Sequence, residues 1–539
     1  MAENIVQIKS LPGIKRDGTK FEGDQYVDGQ WVRFQRGLPR KMGGYRSINK
    51  YLRGLPRTLH EYTLDLRTYV HAGSANLLEQ FFIDGGYNTS VISDRTPTSL
   101  VESDANLWQF DVDTAAGSGL QILAQVAPNL NCICNSDGGQ VFYGDAFGTA
   151  PLTEITNFPA IYSATGGVVA LHPYTVIFGN DGFVMWSTPG DPTDYTGTGA
   201  GNAYVTGQKI VRGMPLRGGP GNSPSGLFWS ADSLIRMTFT GDLTGAFQFD
   251  TISAQSSILS AQSTIEYDGV FYWIGTDRFL MFNGVVREIE NNMNINFFFD
   301  NLNYEQRQKV FAMKVPRFGE IWWCFPFGDS TEPNHAIVYN VRENTWYDTA
   351  LPNEGRGAGL FPAVFRKPLM TGVVPTFTDT TRRITQADDI RITEDDDTRI
   401  TEDSDVPQYR LWIHEVGTDE IDGLTVNPIQ SYFETADLSL PVQSQTNRAL
   451  QVLLMEPDFV QSGPMTVQAM GRANARAPEV NGEIKTIVED PQTPQEQVIY
   501  FKEQRRELRF RFESNCVGGD YQMGLILAHV QPGDGTVIG

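Results

Sequence analysis

The groups in this 539-residue chain able to do acid–base, nucleophilic or metal chemistry are six histidines, four cysteines and 64 Asp and Glu side chains. His60, His71, His172, His335, His414 and His529 share no close metal-ligand spacing, and none stands in an HExxH helix. Cys132 and Cys134 would point to one face of a strand, but two ligands without a nearby second pair rarely hold zinc, so packed thiols are expected. Cys324, between Trp323 and Phe325, reads as core. There is no Gly-x-Ser-x-Gly nucleophile turn and no Walker loop. Paired carboxylates in a central pocket would make a β-propeller glycoside hydrolase, but acidic residues are too abundant here to single out a pair. Asn344-Thr345-Trp346 is only a fragment of the sialidase repeat. The expectation is therefore no catalytic residue, no cofactor and no metal.

Charge is more informative. The formal net charge is −22, whereas a protein that grips a phosphate backbone clusters Lys and Arg; this chain repels DNA on average. Residues 1–57 run the other way. Their twelve Lys and Arg outnumber five Asp and Glu, and Arg33, Arg36 and Arg40 are the candidate interface residues within them. A solvated strand-and-loop segment, docking onto an acidic partner subunit and direct phosphate contact all remain open for this stretch. At 371–408, Arg-Ile-Thr recurs every eight residues from Arg383, with Asp388, Asp389, Asp395, Asp396, Asp397 and Asp403 among the carboxylates between. An even period keeps each Ile on one face of an extended chain, giving a small stacked excursion or a solvated acidic loop facing solvent or a lumen. The Gly placement of a calcium loop is missing.

The elements that would carry these groups are strands. Residues 267–289 read as a β-meander: Val270 to Ile274 and Arg278 to Phe282 are β-branched and aromatic, and Asn283-Gly284 is a two-residue hairpin signal. A lone meander is marginal in water, so it needs neighbours. Tyr143, Trp186, Trp229, Trp273 and Trp322 recur at about 43 to 49 residues, the period of a propeller blade; a β-sandwich with chance spacing is the alternative. The expected fold is all-β: a basic segment over 1–57, a propeller-like body of about six blades over 58–370, the acidic insertion over 371–408, and a C-terminal sandwich-like or platform region over 409–539. A short Asn-capped helix is expected within 301–313. No signal peptide and no run of 18 apolar residues is evident, so synthesis in a reducing cytoplasm without a membrane segment is expected.

Four stretches together resemble a known family. YVDGQWVRFQRGLPRKMGGYR (26–46), FQFDTISAQSSILSAQSTIEYDGVFYWIGTDRFLMFNG (247–284), NTWYD (344–348) and RRELRFRFESNCVGGDYQMGLILAHVQPGDG (505–535) look like the packaged-DNA stabilisation proteins of short-tailed bacteriophages, also called tail hub or tail nozzle proteins. The resemblance implies a structural virion subunit assembled in the bacterial cytoplasm. It implies a homohexameric ring below the portal and its adaptor protein, with tail needle, spike or fibre proteins as further partners. Double-stranded DNA would pass through the channel without sequence-specific binding. A receptor-binding tail protein and a propeller hydrolase are the competing readings.

Overall fold

The computed structural model describes residues 4–19, 24–64, 67–128, 139–158, 164–216, 224–362, 366–377, 407–438, 449–473 and 476–533. Over these the chain is nearly all β. Cys132, Cys134, the Arg-Ile-Thr repeats and Asp388, Asp389, Asp395, Asp396, Asp397 and Asp403 lie outside the described residues.

Six four-stranded antiparallel meanders follow one another along the chain. Sheet I is Pro56–Leu64, Arg67–Ser74, Leu78–Asp84 and Ser93–Asp94; sheet II is Asn106–Ala115, Gly119–Pro128, Gln140–Asp145 and Thr153–Glu154. Sheet III is Gly167–Leu171, Tyr174–Phe178, Phe183–Trp186 and Gly201–Tyr204; sheet IV is Ile210–Pro215, Ser225–Ser230, Leu234–Phe239 and Phe247–Ser253. Sheet V is Ile265–Tyr267, Val270–Ile274, Phe279–Phe282 and Val286–Glu288; sheet VI is Phe311–Val315, Glu320–Phe325, His335–Asn340 and Thr345–Ala350. In sheet V the Asn283-Gly284 turn is where the sequence places it, but it is a three-residue rather than a two-residue loop: Phe282 pairs with Val286, and only Gly284, at φ 108°, takes the conformation that favours glycine.

The first strands of successive sheets pack against one another in order. Pro56–Leu64 touches Asn106–Ala115, which touches Gly167–Leu171, which touches Ile210–Pro215. The short 3-10 turn Ala261–Ser263 bridges Ile210–Pro215 to Phe311–Val315, which also touches Ile265–Tyr267. Phe311–Val315 then packs on Arg356–Leu360, and Arg356–Leu360 returns to Pro56–Leu64, so the circuit of contacts is complete. Arg356–Leu360 begins a six-stranded sheet that continues through Leu369–Phe377 and Pro407–His414 to Tyr45–Leu52, Glu420–Asp422 and Thr425–Asn427. A strand from the N-terminal segment thus pairs with one more than 350 residues later (Tyr45 with His414, Leu52 with Tyr409).

Buried tryptophans fasten neighbouring sheets. The Trp108 indole N–H donates to the Ser74 carbonyl of sheet I at 2.7 Å, Trp273 to Ser257 O at 3.0 Å, Trp323 to Ser263 O at 2.8 Å and Trp346 to Glu290 O at 2.9 Å. Each ring removes a large apolar area from water while its one polar atom stays bonded. The sequence spacing of aromatics conceals a change of strand, however: Tyr143 and Trp186 lie on third strands, Trp229, Trp273 and Trp322 on second strands. The expected short helix is shifted: an α-helix spans Ile295–Asn301, and a 3-10 turn spans Tyr304–Lys309, where the Asn303 side chain accepts from the Glu305 N–H.

The strands of residues 1–57 do not form a unit of their own. Asn4–Ile8 pairs with Ile526–Pro532, Asp28–Gln30 with Ser431–Glu434, and Leu38–Lys41 with both Val32–Gln35 and Asp520–Met523. One core therefore runs from Tyr26, Trp31 and Phe34 through Trp322 and Tyr347 of sheet VI to Phe433, Phe510 and Tyr521.

Candidate functional site: a cationic cavity at the N-terminal hairpin

The hairpin of Val32–Gln35 and Leu38–Lys41 carries all three arginines singled out in the sequence. Its turn places Arg36 at φ 56° and Gly37 at φ 75°, the two left-handed residues of a twist-matched hairpin turn. Glu343, on the turn between the last two strands of sheet VI, holds it there: its carboxylate accepts from the Arg36 N–H at 2.6 Å and the Gly37 N–H at 3.2 Å.

Arg33 corrects the expectation of a surface interface. It is 1% exposed, and its guanidinium lies between two carboxylates, with Nε 2.8 Å from Glu320 Oε1 and Nη1 2.9 Å from Glu415 Oε2. The guanidinium also stacks 3.7 Å from the centre of the Phe318 ring. Glu320 is fully buried and accepts further from the Trp322 indole at 2.9 Å and the Tyr347 hydroxyl at 2.7 Å. Burial works against the Arg33 charge, but Glu320 and Glu415 outweigh it and raise its pKa; burial raises that of Glu320 despite the arginine. Arg33 is thus an internal strut between the hairpin, sheet VI and the six-stranded sheet. Three further basic residues of the segment are likewise engaged within the chain. Arg16 bonds Asp28 and, at 2.9 Å, the buried Asp348, which His335 contacts at 3.0 Å. Arg53 bonds Glu79 at 3.2 Å and Asp94 at 2.8 Å, and Arg57 bonds Glu332.

Arg36 is exposed and Arg40 half-buried, with Arg40 Nη1 donating to Gln35 Oε1 at 2.9 Å. Arg33 and Arg40, but not Arg36, line a cavity of about 200 Å³ with Lys41, Arg317, Lys367 and Glu415. Lys41 is 2% exposed, and its ammonium donates to the Gly519 carbonyl at 2.7 Å. Lys367 donates to the Glu415 carbonyl, and Arg317 lies 5.1 Å from the centre of the Phe318 ring. Among the described residues, Arg40, Lys41, Arg317 and Lys367 form no ion pair with a carboxylate, although Asp520 also lines the space. Arg317 and Lys367 were not singled out in the sequence: each stands alone in a loop, and only the fold brings them to Lys41.

Elsewhere among the described residues, titratable groups meet in several places. Asp113 stands between His172 Nδ1 at 2.9 Å and Thr175 Oγ1 at 2.9 Å, so the carboxylate, not the imidazole, meets the hydroxyl, the reverse of a nucleophile–base order. Buried His71 meets Gln80 at 3.0 Å, and buried His414 accepts from Arg356 Nε at 3.1 Å. Among the described residues no cluster of three or more His, Cys, Asp or Glu could hold a metal ion, and no helix is long and apolar enough to cross a membrane. A wider cleft of about 570 Å³ lies beside the Leu424 hairpin tip; its Asp422 pairs with Arg410 and accepts from the Ser47 hydroxyl at 2.8 Å.

No family model and no curated protein matches the chain. Among solved structures, the computationally designed Ika8 protein is similar at 10% identity over 61% of this chain and 96% of its own, with a TM-score of 0.32. A likeness that weak carries no argument.

Proposed function

We propose that this chain is a structural tail nozzle or hub subunit of a short-tailed bacteriophage, one of six in a ring below the portal and adaptor that retains packaged DNA and provides its exit channel. The observation that carries this reading is where the family-like stretches meet. The stretch 26–46 reaches 344–348 and its neighbours through Phe34 and Tyr347, with ring centres 5.5 Å apart, and through the Trp31 N–H donating to Thr349 Oγ1 at 3.0 Å. It reaches 505–535 through the Arg40–Gln522 pairing and the Tyr26–Met523 contact at 3.6 Å. Three stretches of resemblance separated by hundreds of residues thus build one junction, as they would if they encode a shared scaffold.

We read the circuit of sheets as a propeller of seven blades, the seventh being the six-stranded sheet into which Tyr45–Leu52 inserts. A propeller closed by its own N-terminal strand resists fraying, a property suited to a subunit that withstands DNA under pressure. The net charge of −22 fits a channel wall past which DNA slides without adhering. The test is the native mass of the purified assembly. Six chains of 60.0 kDa, about 360 kDa together, are expected; a chain that stays monomeric at micromolar concentration rejects the reading.

A further inference from the structure

We infer that the cavity beside the N-terminal hairpin binds a free tetrahedral oxyanion of the phosphate class. Four cations from separate parts of the chain line this one space: Arg40 and Lys41 from the hairpin, Arg317 from the turn between the first two strands of sheet VI, and Lys367 from the connection preceding Leu369–Phe377. In a chain with 22 more acidic than basic charges, cations lacking a carboxylate partner are expected to be scattered, because like charges brought together repel. Here they converge, and their described hydrogen bonds go to neutral acceptors: Gln35 Oε1, the Gly519 carbonyl and the Glu415 carbonyl.

Lys41 is the sharpest case. It is 2% exposed, and its ammonium has three donors, of which one meets Gly519 O at 2.7 Å. An ammonium buried in this way is costly unless a counter-charge reaches it. Asp419 and Asp520 act on its charge from nearby without pairing with it, and burial still lowers its pKa. Asp419 accepts the Gly518 N–H at 2.8 Å, Asp520 accepts the Tyr521 N–H at 2.9 Å, and Glu415 is committed to Arg33; among the described residues none makes an ion pair with Lys41. Burial lowers the Lys367 pKa; Glu415 works against that shift and Arg317 adds to it, so the carboxylate already bound to Arg33 does not make up for the burial.

Size and donor type fix the class. About 200 Å³ accommodates a phosphate with a few waters, since each water takes roughly 30 Å³. Two guanidinium forks and two ammonium groups supply donors from several directions, which suits a tetrahedral dianion better than a planar carboxylate. A backbone phosphodiester offers only two free oxygens and a single charge, so free phosphate is the better match for four donors. The site lies within one chain and is independent of ring formation.

The test is titration of the full chain with inorganic phosphate by calorimetry at low ionic strength, alongside a short DNA duplex at equal phosphate concentration. One phosphate per chain is expected. The exposed Arg317→Ala combined with Lys367→Ala should weaken it at least tenfold, with the melting temperature in phosphate-free buffer unchanged. Arg40→Gln, an independent variant, should weaken it several-fold. The duplex should give no heat. Absence of phosphate binding at about 10 mM, or equal affinity in wild type and variants, overturns the assignment; a duplex that binds more tightly than free phosphate overturns it in favour of a DNA contact.

Discussion

Removing Arg33 should loosen the junction that ties the N-terminal segment to the rest of the chain. In Arg33→Met the side-chain volume is largely kept, but Glu320 stays 0% exposed with its cation gone. Breaking a buried pair from one side costs about 3 to 5 kcal/mol, because the remaining charge is desolvated and unpaired. Loss of the guanidinium–Phe318 stacking at 3.7 Å adds about 1 kcal/mol. Two features limit the loss. The Trp322 and Tyr347 donors still reach Glu320, and the carboxyl, whose pKa burial already raises, can take up a proton. The deficit should therefore shrink as pH falls, and Arg33→Met with Glu320→Gln should recover most of it. Denaturant titration followed by tryptophan fluorescence suits the question, since Trp31 and Trp322 lie 6.2 Å apart beside the network. A loss below about 1 kcal/mol at neutral pH, or a double variant no better than the single one, would show that the Arg33–Glu320 pair does not hold the junction.

Glu343→Ala should cost about 1 to 2 kcal/mol by freeing the two turn N–H groups, whereas Arg36→Gly should be neutral or slightly stabilising because φ 56° suits glycine; thermal melts of both check this. Gly182→Ala should destabilise by more than about 2 kcal/mol, since φ is 68° and a Cβ would stand 2.0 Å from the Thr206 carbonyl oxygen; its melting temperature is the readout. Burial holds His71 and His414 neutral, with pKa values well below the usual 6.5, and pushes His60 down to about 4. Below about pH 6.5 the unfolded chain binds protons that the folded chain refuses, so stability should fall, by up to about 1.4 kcal/mol per pH unit for each histidine. A denaturation midpoint unchanged between pH 7 and 5 would contradict this.

Sheet V was legible because its signals are local: β-branched strands and an Asn-Gly turn specify a hairpin with nothing else present. The 43-residue rhythm of aromatics was legible for a related reason, since each sheet needs a large ring to pack its neighbour. It could not show that Trp186 and Trp229 occupy different strands, because an indole on either can fill the gap between sheets. The N-terminal segment was the least legible. Nothing in Asn4–Ile8 announces Ile526–Pro532 as its partner, and pairing across more than 500 residues leaves no local trace. Arg33 was misplaced for the same reason, because a count of basic residues does not reveal that Glu320 and Glu415 close around one of them. The cavity was invisible in the sequence, since Lys41, Arg317 and Lys367 share no spacing, only a location.

The function proposed for this chain requires six copies of it to assemble around a channel. Electron-microscope class averages of the purified protein test that directly: closed rings with six-fold symmetry and an open or plugged centre are expected. A field of single particles, or a three-fold fibre, would contradict it.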